Sequence, residues 1–187
     1  MYEVEVKVPA DLDVVRDRLD RLGFEANRSL TQVDVYYDAP HRSFGETDEA
    51  LRIRRELTAD ETVVNVTYKG PLVDDESKTR EEFETSVDSD SELAEIFERL
   101  GFTPTATVRK ERTVYDVEGY AVTLDVVADV GEYVEVERGT TESDVEAVRR
   151  GAFDVLDRLG LDPTDQIRTS YLGLLLDDGI ETDGPSE

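Results

Sequence analysis

Charged residues recur at every second position in segments that are otherwise apolar. Glu3, Glu5 and Lys7 alternate with Val4, Val6 and Val8, and the same spacing groups Arg52 with Arg54, Arg80 with Glu82 and Glu84, Lys110 with Arg112, and Glu135 with Glu137. Lys69 and Asp125 close segments of their own. An extended chain sends alternate side chains to opposite faces, so each group shares one face of a strand. A bank of Arg and Lys holds a polyanion through charge-assisted hydrogen bonds, while several carboxylates hold Mg²⁺ or Mn²⁺ through oxygen. Both sets on one surface suit a metal ion together with a triphosphate. The usual phosphate device, a GxxxxGK[ST] loop, is absent from the sequence, so recognition would fall to side chains.

About eight segments of period two must position these groups: YEVEVKV, TQVDVYYD, ALRIRRE, TVVNVTYK, TREEFETSV, TVRKERTVYDV, YAVTLDVV and EYVEVER. Their opposite faces carry Val4, Val6, Val8, Leu51, Ile53, Val122, Leu124, Val126, Val134 and Val136, which need cover. Amphipathic helices supply it. One presents Leu12, Val15, Leu19 and Leu22, a second Leu93, Ile96, Phe97 and Leu100, and a third Val145, Val148, Ala152, Leu156 and Leu159. Ser89 with Glu92 and Ser143 with Glu146 read as capping boxes, and Gly23, Gly101 and Gly160 as left-handed stops. A shorter fourth helix is expected over 167–176. GPLVDDESKT, 70–79, reads as a loop, and the acidic end, 177–187, as a disordered tail behind one domain spanning 1–176. RLGF occurs at 21–24 and 99–102, each time followed at the same distance by Tyr-Asp, which marks two related halves.

An open antiparallel sheet, with helices on one side and water on the other, is the commonest cause of such alternation. Two features favour closing the sheet instead. Three of only four lysines, Lys7, Lys69 and Lys110, fall on the polar faces of a chain that otherwise avoids lysine. Acids and bases also occupy separate strands as well as mixed ones, so closure sets them against each other across a polar lumen.

The chain has 187 residues, 38% of them hydrophobic, which is enough for one buried core. Its 46 acidic and 21 basic residues give a formal charge of -25. So acidic a surface suggests a halophilic protein, whose self-repulsion is screened by a salt-rich cytoplasm. The same charge argues against nucleic acid or an anionic membrane as partner. Cysteine is absent, which removes disulfides and thiolate chemistry. With neither a signal-like segment nor a membrane-length apolar run, a cytoplasmic location is expected.

ExExK at the N-terminus, LRIR at 51–54, YKGP at 68–71, REE at 80–82, KERTVY at 110–115 and VEVE at 134–137 together resemble the CYTH, or triphosphate tunnel metalloenzyme, superfamily. KERTVYDVEGYAVTLDVVADVGEYVEVE and SYLGLL are similar to its class IV adenylyl cyclases, whereas YYDAP and ALRIRRE are equally like its thiamine triphosphatase and tripolyphosphatase members. The resemblance implies an α+β fold, an eight-stranded antiparallel β-barrel forming a triphosphate tunnel with flanking helices. It also implies that Glu3, Glu5, Glu135 and Glu137 bind Mg²⁺ or Mn²⁺ and that Asp125 assists them. Lys7, Arg52, Arg54, Lys69, Arg80, Lys110 and Arg112 would grip the triphosphate, with Glu5, Asp125 and Lys110 closest to the chemistry.

Three functions stay open at this point: a cyclase converting ATP to cyclic AMP and pyrophosphate, a metal-dependent triphosphatase, and a silent barrel that only binds polyphosphate. The carboxylates argue against the last, since anion binding alone needs no acids facing the bases. A homodimer is one arrangement the chain could adopt. Glu82 and Glu84 either add metal-proximal carboxylates or neutralise Arg80. Tyr115 and Tyr171 either touch a nucleotide or pack. His41, the only histidine, reads as a surface residue.

Overall fold

A computed structural model describes residues 2–73 and 77–178. Eight strands run β1 (Tyr2–Pro9), β2 (Ala26–Asp38), β3 (Ala50–Leu57), β4 (Thr62–Leu72), β5 (Lys78–Val87), β6 (Thr103–Val117), β7 (Tyr120–Val127) and β8 (Gly131–Thr140). Four helices accompany them: α1 (Leu12–Leu22), α2 (Asp90–Arg99), α3 (Val145–Leu159) and α4 (Tyr171–Asp178). All strand pairs are antiparallel and the sheet closes in the order β1-β5-β4-β3-β2-β6-β7-β8. The expected closed barrel with outer helices is therefore the fold. Among the described residues no helix is long and apolar enough to cross a membrane.

Closure gives each strand an outer face under helices and an inner face in the lumen. Val6, Val8, Val122, Leu124, Val134 and Val136 face outward onto Leu12, Val15 and Leu19 of α1 and Ala152, Leu156 and Leu159 of α3. Each such fully buried aliphatic side chain contributes about 1.5–3 kcal/mol by leaving water. α1 starts where the Asp11 side chain accepts from the Asp13 and Val14 amides and stops at left-handed Gly23. α2 starts where Ser89 Oγ accepts from the Glu92 amide.

Several expectations change. Ser143 caps nothing: its hydroxyl bonds that of Thr141, and a 3-10 turn over Glu142–Asp144 precedes α3. α2 is covered on half of its apolar stripe. Phe97 packs edge-on against Tyr37 of β2, and Leu93 and Ala94 join the same cluster, whereas Ile96 (53% exposed) and Leu100 (63%) face solvent. Val126, on the outer face of β7, is 44% exposed beyond the helical cover. The fourth helix begins at Tyr171 rather than near 167, since the Ile167 amide is tied to the Lys7 carbonyl at 2.7 Å and Thr169 O to Lys7 Nζ at 2.5 Å. It runs to Asp178, so 177–178 belong to α4 and only 179–187 of the proposed tail lie outside the described residues. Of the seven described residues of the proposed loop 70–79, five are strand, because Gly70–Leu72 extend β4 and Lys78–Thr79 open β5; residues 74–76 lie outside the described ones.

The two halves signalled by RLGF are real elements of architecture. β1-α1-β2-β3-β4 is answered by β5-α2-β6-β7-β8. Exchanging each strand with its counterpart returns the same ring read in the opposite sense, so an approximate two-fold axis crosses the barrel between β1 and β5 and between β2 and β6. That axis lies across the lumen and interchanges its ends. α3 and α4 have no counterparts in the repeat.

Candidate active site

Alternate residues of seven of the eight strands, all but β7, line an internal cavity of about 560 Å³. The carboxylates come mainly from β1 and β8, which pair so that Glu5 stands opposite Glu137 and Lys7 opposite Glu135. One oxygen each from Glu3, Glu5 and Glu137 lies within 4.8 Å of the other two. Burial first, and then the neighbouring charge of Glu3, pushes Glu137 up to about 7. Burial would raise Glu3 as well, but Lys69, 2.7 Å away, outweighs it and holds Glu3 at about 2. An all-oxygen donor set with a carboxyl this reluctant to ionise is what a hard divalent cation would relieve, and the set fits Mg²⁺ or Mn²⁺.

Glu135 lies apart from that group, in close contact with Arg112 Nη2. Burial opposes its ionisation, yet Arg112, Lys110 and Lys7 together hold it well below the usual carboxylate range. Asp125, fully buried, accepts a bidentate pair from Arg112 (2.6 and 2.5 Å), the Tyr171 hydroxyl at 3.0 Å, and Lys110 at 3.5 Å. Its surroundings are those of a clamp on the cations.

The cation bank faces the carboxylates. Arg52, Arg54, Arg80, Lys110 and Arg112 are buried on β3, β5 and β6, with Lys69 on β4. Burial lowers Lys7 and Lys110 to about 8 each, helped by Lys78 at the first and Arg112 at the second. The Tyr171 ring sits beneath both amines, 4.1 Å from Lys7 Nζ and 4.9 Å from Lys110 Nζ. Tyr171 thus closes one end of the lumen, while Tyr115 packs in the outer core and His41 is exposed.

Glu82 meets Lys69 at 2.7 Å and bonds Glu3, so it borders the group of Glu3, Glu5 and Glu137 rather than neutralising Arg80. Arg80 turns instead to the loop after β2, where Asp48 offers its carbonyl at 3.2 Å and carboxylate at 3.3 Å. Glu84 accepts from Thr67 Oγ1, its cross-strand neighbour, at 2.8 Å.

Lys78 and Asp34 are among the lumen residues that escape the sequence reading. Lys78, assigned there to a loop, pairs with Glu5 at 2.8 Å, so all four lysines of the chain point inward. Asp34 accepts a bidentate pair from Arg54 at 2.6 and 2.7 Å and a longer contact from Arg52 at 3.5 Å. Alternation in TQVDVYYD already placed Asp34 on one face with Gln32, and that signal could have found it. Asp34–Arg54 and Arg112–Asp125 are equivalent positions of the two halves, since Asp34 and Arg112 each precede their Tyr-Asp by the same step. The order of acid and base is reversed between them.

The sequence profile described as CYTH domain matches residues 1–171. The chain belongs to the CYTH family. Its members are enzymes, adenylyl cyclases or triphosphatases, that take triphosphates with divalent metal. A Methanocaldococcus jannaschii protein named "Putative adenylate cyclase" is 37% identical over 176 residues, covering 93% of this chain and 98% of its own. A solved Pyrococcus horikoshii structure is 37% identical with a TM-score of 0.87, covering 94% of this chain and 99% of its own. A Hippeastrum protein, described as a putative adenylyl cyclase with a dominant triphosphatase activity, shares the fold at 20% identity and a TM-score of 0.67, covering 95% of each chain.

Proposed function

We propose that this CYTH protein is a class IV-type adenylyl cyclase that converts ATP to cyclic AMP and pyrophosphate with Mg²⁺ or Mn²⁺. The observation that carries the reading is the convergence of Glu3, Glu5 and Glu137 within 4.8 Å, facing a buried bank of Arg and Lys in one lumen. The archaeal relative's name supports the cyclase branch at an identity where the match spans nearly both chains.

In this mechanism Arg52, Arg54, Lys69, Lys110 and Arg112 bind the triphosphate and hold it straight, so that the ribose 3′-oxygen lies in line with the α-phosphorus. A new bond forms between that oxygen and the α-phosphorus as its O–H bond breaks, the α-phosphorus–bridging oxygen bond breaks, and pyrophosphate leaves with the electron pair and carries the proton away. Glu3, Glu5 and Glu137 would hold the divalent ion, and Asp125 and Glu135 keep Arg112 aimed at the lumen. When bound, the metal supplies Lewis-acid activation of the attacking hydroxyl and offsets the charge on the leaving group. No side-chain nucleophile is required. The fixed guanidinium and ammonium groups stabilise the transition state in a site largely shielded from water.

Product analysis with ATP, thiamine triphosphate and tripolyphosphate tests this. Cyclic AMP and pyrophosphate should appear from ATP, and Glu5→Gln, which keeps size but removes a charge, should cut metal-dependent turnover at least about a hundredfold while the circular-dichroism spectrum is unchanged. The same lumen could direct water at a terminal phosphorus. Orthophosphate from tripolyphosphate or thiamine triphosphate, with no cyclic AMP under any metal or salt condition, would make the protein a triphosphatase.

A further inference from the structure

Among the described residues, Gln32 Oε1 is a buried acceptor in the lumen that neither the carboxylate group nor the cation bank uses. Gln32, on β2 two residues before Asp34, is 2% exposed and lines the cavity. Its Nε2 donates to Glu56 Oε1 at 2.6 Å, and Glu56 is met from the rim by Arg28 Nη1 at 3.4 Å. An ionised carboxylate only accepts, so this bond settles which end of the amide faces Glu56 and turns Oε1 away from it. Oε1 is buried without a hydrogen-bond partner among the described residues. A buried carbonyl oxygen left unpaired costs stability, and such an atom in a substrate cavity calls for a partner that arrives with the substrate.

The chemistry of the cavity says what that partner must be. An ionised triphosphate carries only acceptors along its length, so it satisfies the Arg and Lys bank and offers nothing to Gln32. The partner is a donor attached to the phosphates. Gln32 stands directly across from Lys110 on β6 and beside Asp34, whose carboxylate holds Arg54. A donor there lies next to the phosphate-binding groups, and in a nucleotide the groups next to the phosphates are the ribose hydroxyls. Position supports the same conclusion: Gln32 occupies in the first half the place that Lys110 occupies in the second, so the repeat puts a neutral acceptor where its twin has a cation.

Resting on the function proposed above, we infer that Gln32 reads a ribose hydroxyl of a nucleoside triphosphate at Oε1, and thereby selects nucleotides over bare polyphosphate. The test compares the wild type with Gln32→Met, which keeps the length of the side chain and removes both acceptor and donor. Dissociation constants are measured by calorimetry with Mg²⁺ for α,β-methylene-ATP, which cannot release pyrophosphate, for its 2′,3′-dideoxy counterpart, and for a methylene-bridged tripolyphosphate. The variant should bind the ATP analogue about tenfold more weakly, the effect of one hydrogen bond, and the tripolyphosphate analogue as the wild type does. The dideoxy ligand should bind the wild type as weakly as the full analogue binds the variant. Equal weakening of all three ligands would reduce Gln32 to a structural residue, and no weakening at all would also overturn the inference. The dideoxy comparison needs only the wild type, so it decides the matter even if the variant does not fold. Failure of the wild type to bind any of the three would instead overturn the triphosphate lumen itself.

Discussion

Asp34 shows how a single residue sets the character of the lumen. Its carboxylate is deeply buried, which alone would favour the neutral acid, but Arg52 and Arg54 outweigh burial and hold it well below the usual carboxylate range. A carboxyl depressed on folding contributes stability that is fully present above its unfolded pKa, near 4, and is lost as pH falls toward the folded value. Asp34→Asn should therefore cost about 3–5 kcal/mol at pH 7, because it leaves two buried guanidinium groups short of a counter-charge. Urea melts of the two proteins should converge as pH drops below about 4; a gap that stays constant would refute the ion pair as its source. Alternation alone made Glu3, Glu5, Lys7, Arg52, Arg54, Lys110 and Arg112 legible as groups on shared faces. Which acid meets which base was not legible, since Lys78 and Glu5 are direct partners on β5 and β1, and Glu135 and Arg112 meet from β8 and β6, pairings that depend on strand order.

Elements whose signals are local could be read from the sequence, and elements that lean on the rest of the molecule could not. Period-two alternation and the Ser89 and Gly23 signals predict strands and helix ends because the responsible bonds lie within a few residues. The start of α4 depends on Lys7, which is remote in sequence, and so 167–170 reads as helix until that tie is seen. Gly151, inside α3, is another such case. A methyl group there would sit 2.0 Å from Tyr120 Oη, which is itself held at 3.0 Å by the Val148 carbonyl. Gly151→Ala should lower stability by about 1–3 kcal/mol despite the better helix propensity of alanine, through overpacking between α3 and β7. In a Tyr120→Ala background Gly151→Ala should cost less than in the wild type, giving a coupling visible in thermal melts. Strict additivity of the two changes would show that the contact does not limit the packing.

At the scale of the whole molecule, a formal charge of -25 surrounds a lumen into which all four lysines have been drawn. The outer surface is left with arginine as its only basic side chain apart from His41, and its repulsion is long-ranged in dilute buffer. Thermal midpoints should therefore rise from about 0.05 M to molar KCl, where the screening length shrinks to about 3 Å. A flat or falling response across that range would remove the argument for adaptation to salt. The two-fold relation between the halves has a separate consequence. An axis that exchanges the ends of the lumen would let an elongated guest thread it in either direction at equal free energy. Reversing acid and base between Asp34–Arg54 and Arg112–Asp125 lifts that degeneracy, and the unduplicated α4 lifts it again at one end. A vessel assembled from two like halves has in this way become a one-way street, in which head and tail of the guest are told apart before any bond is made or broken.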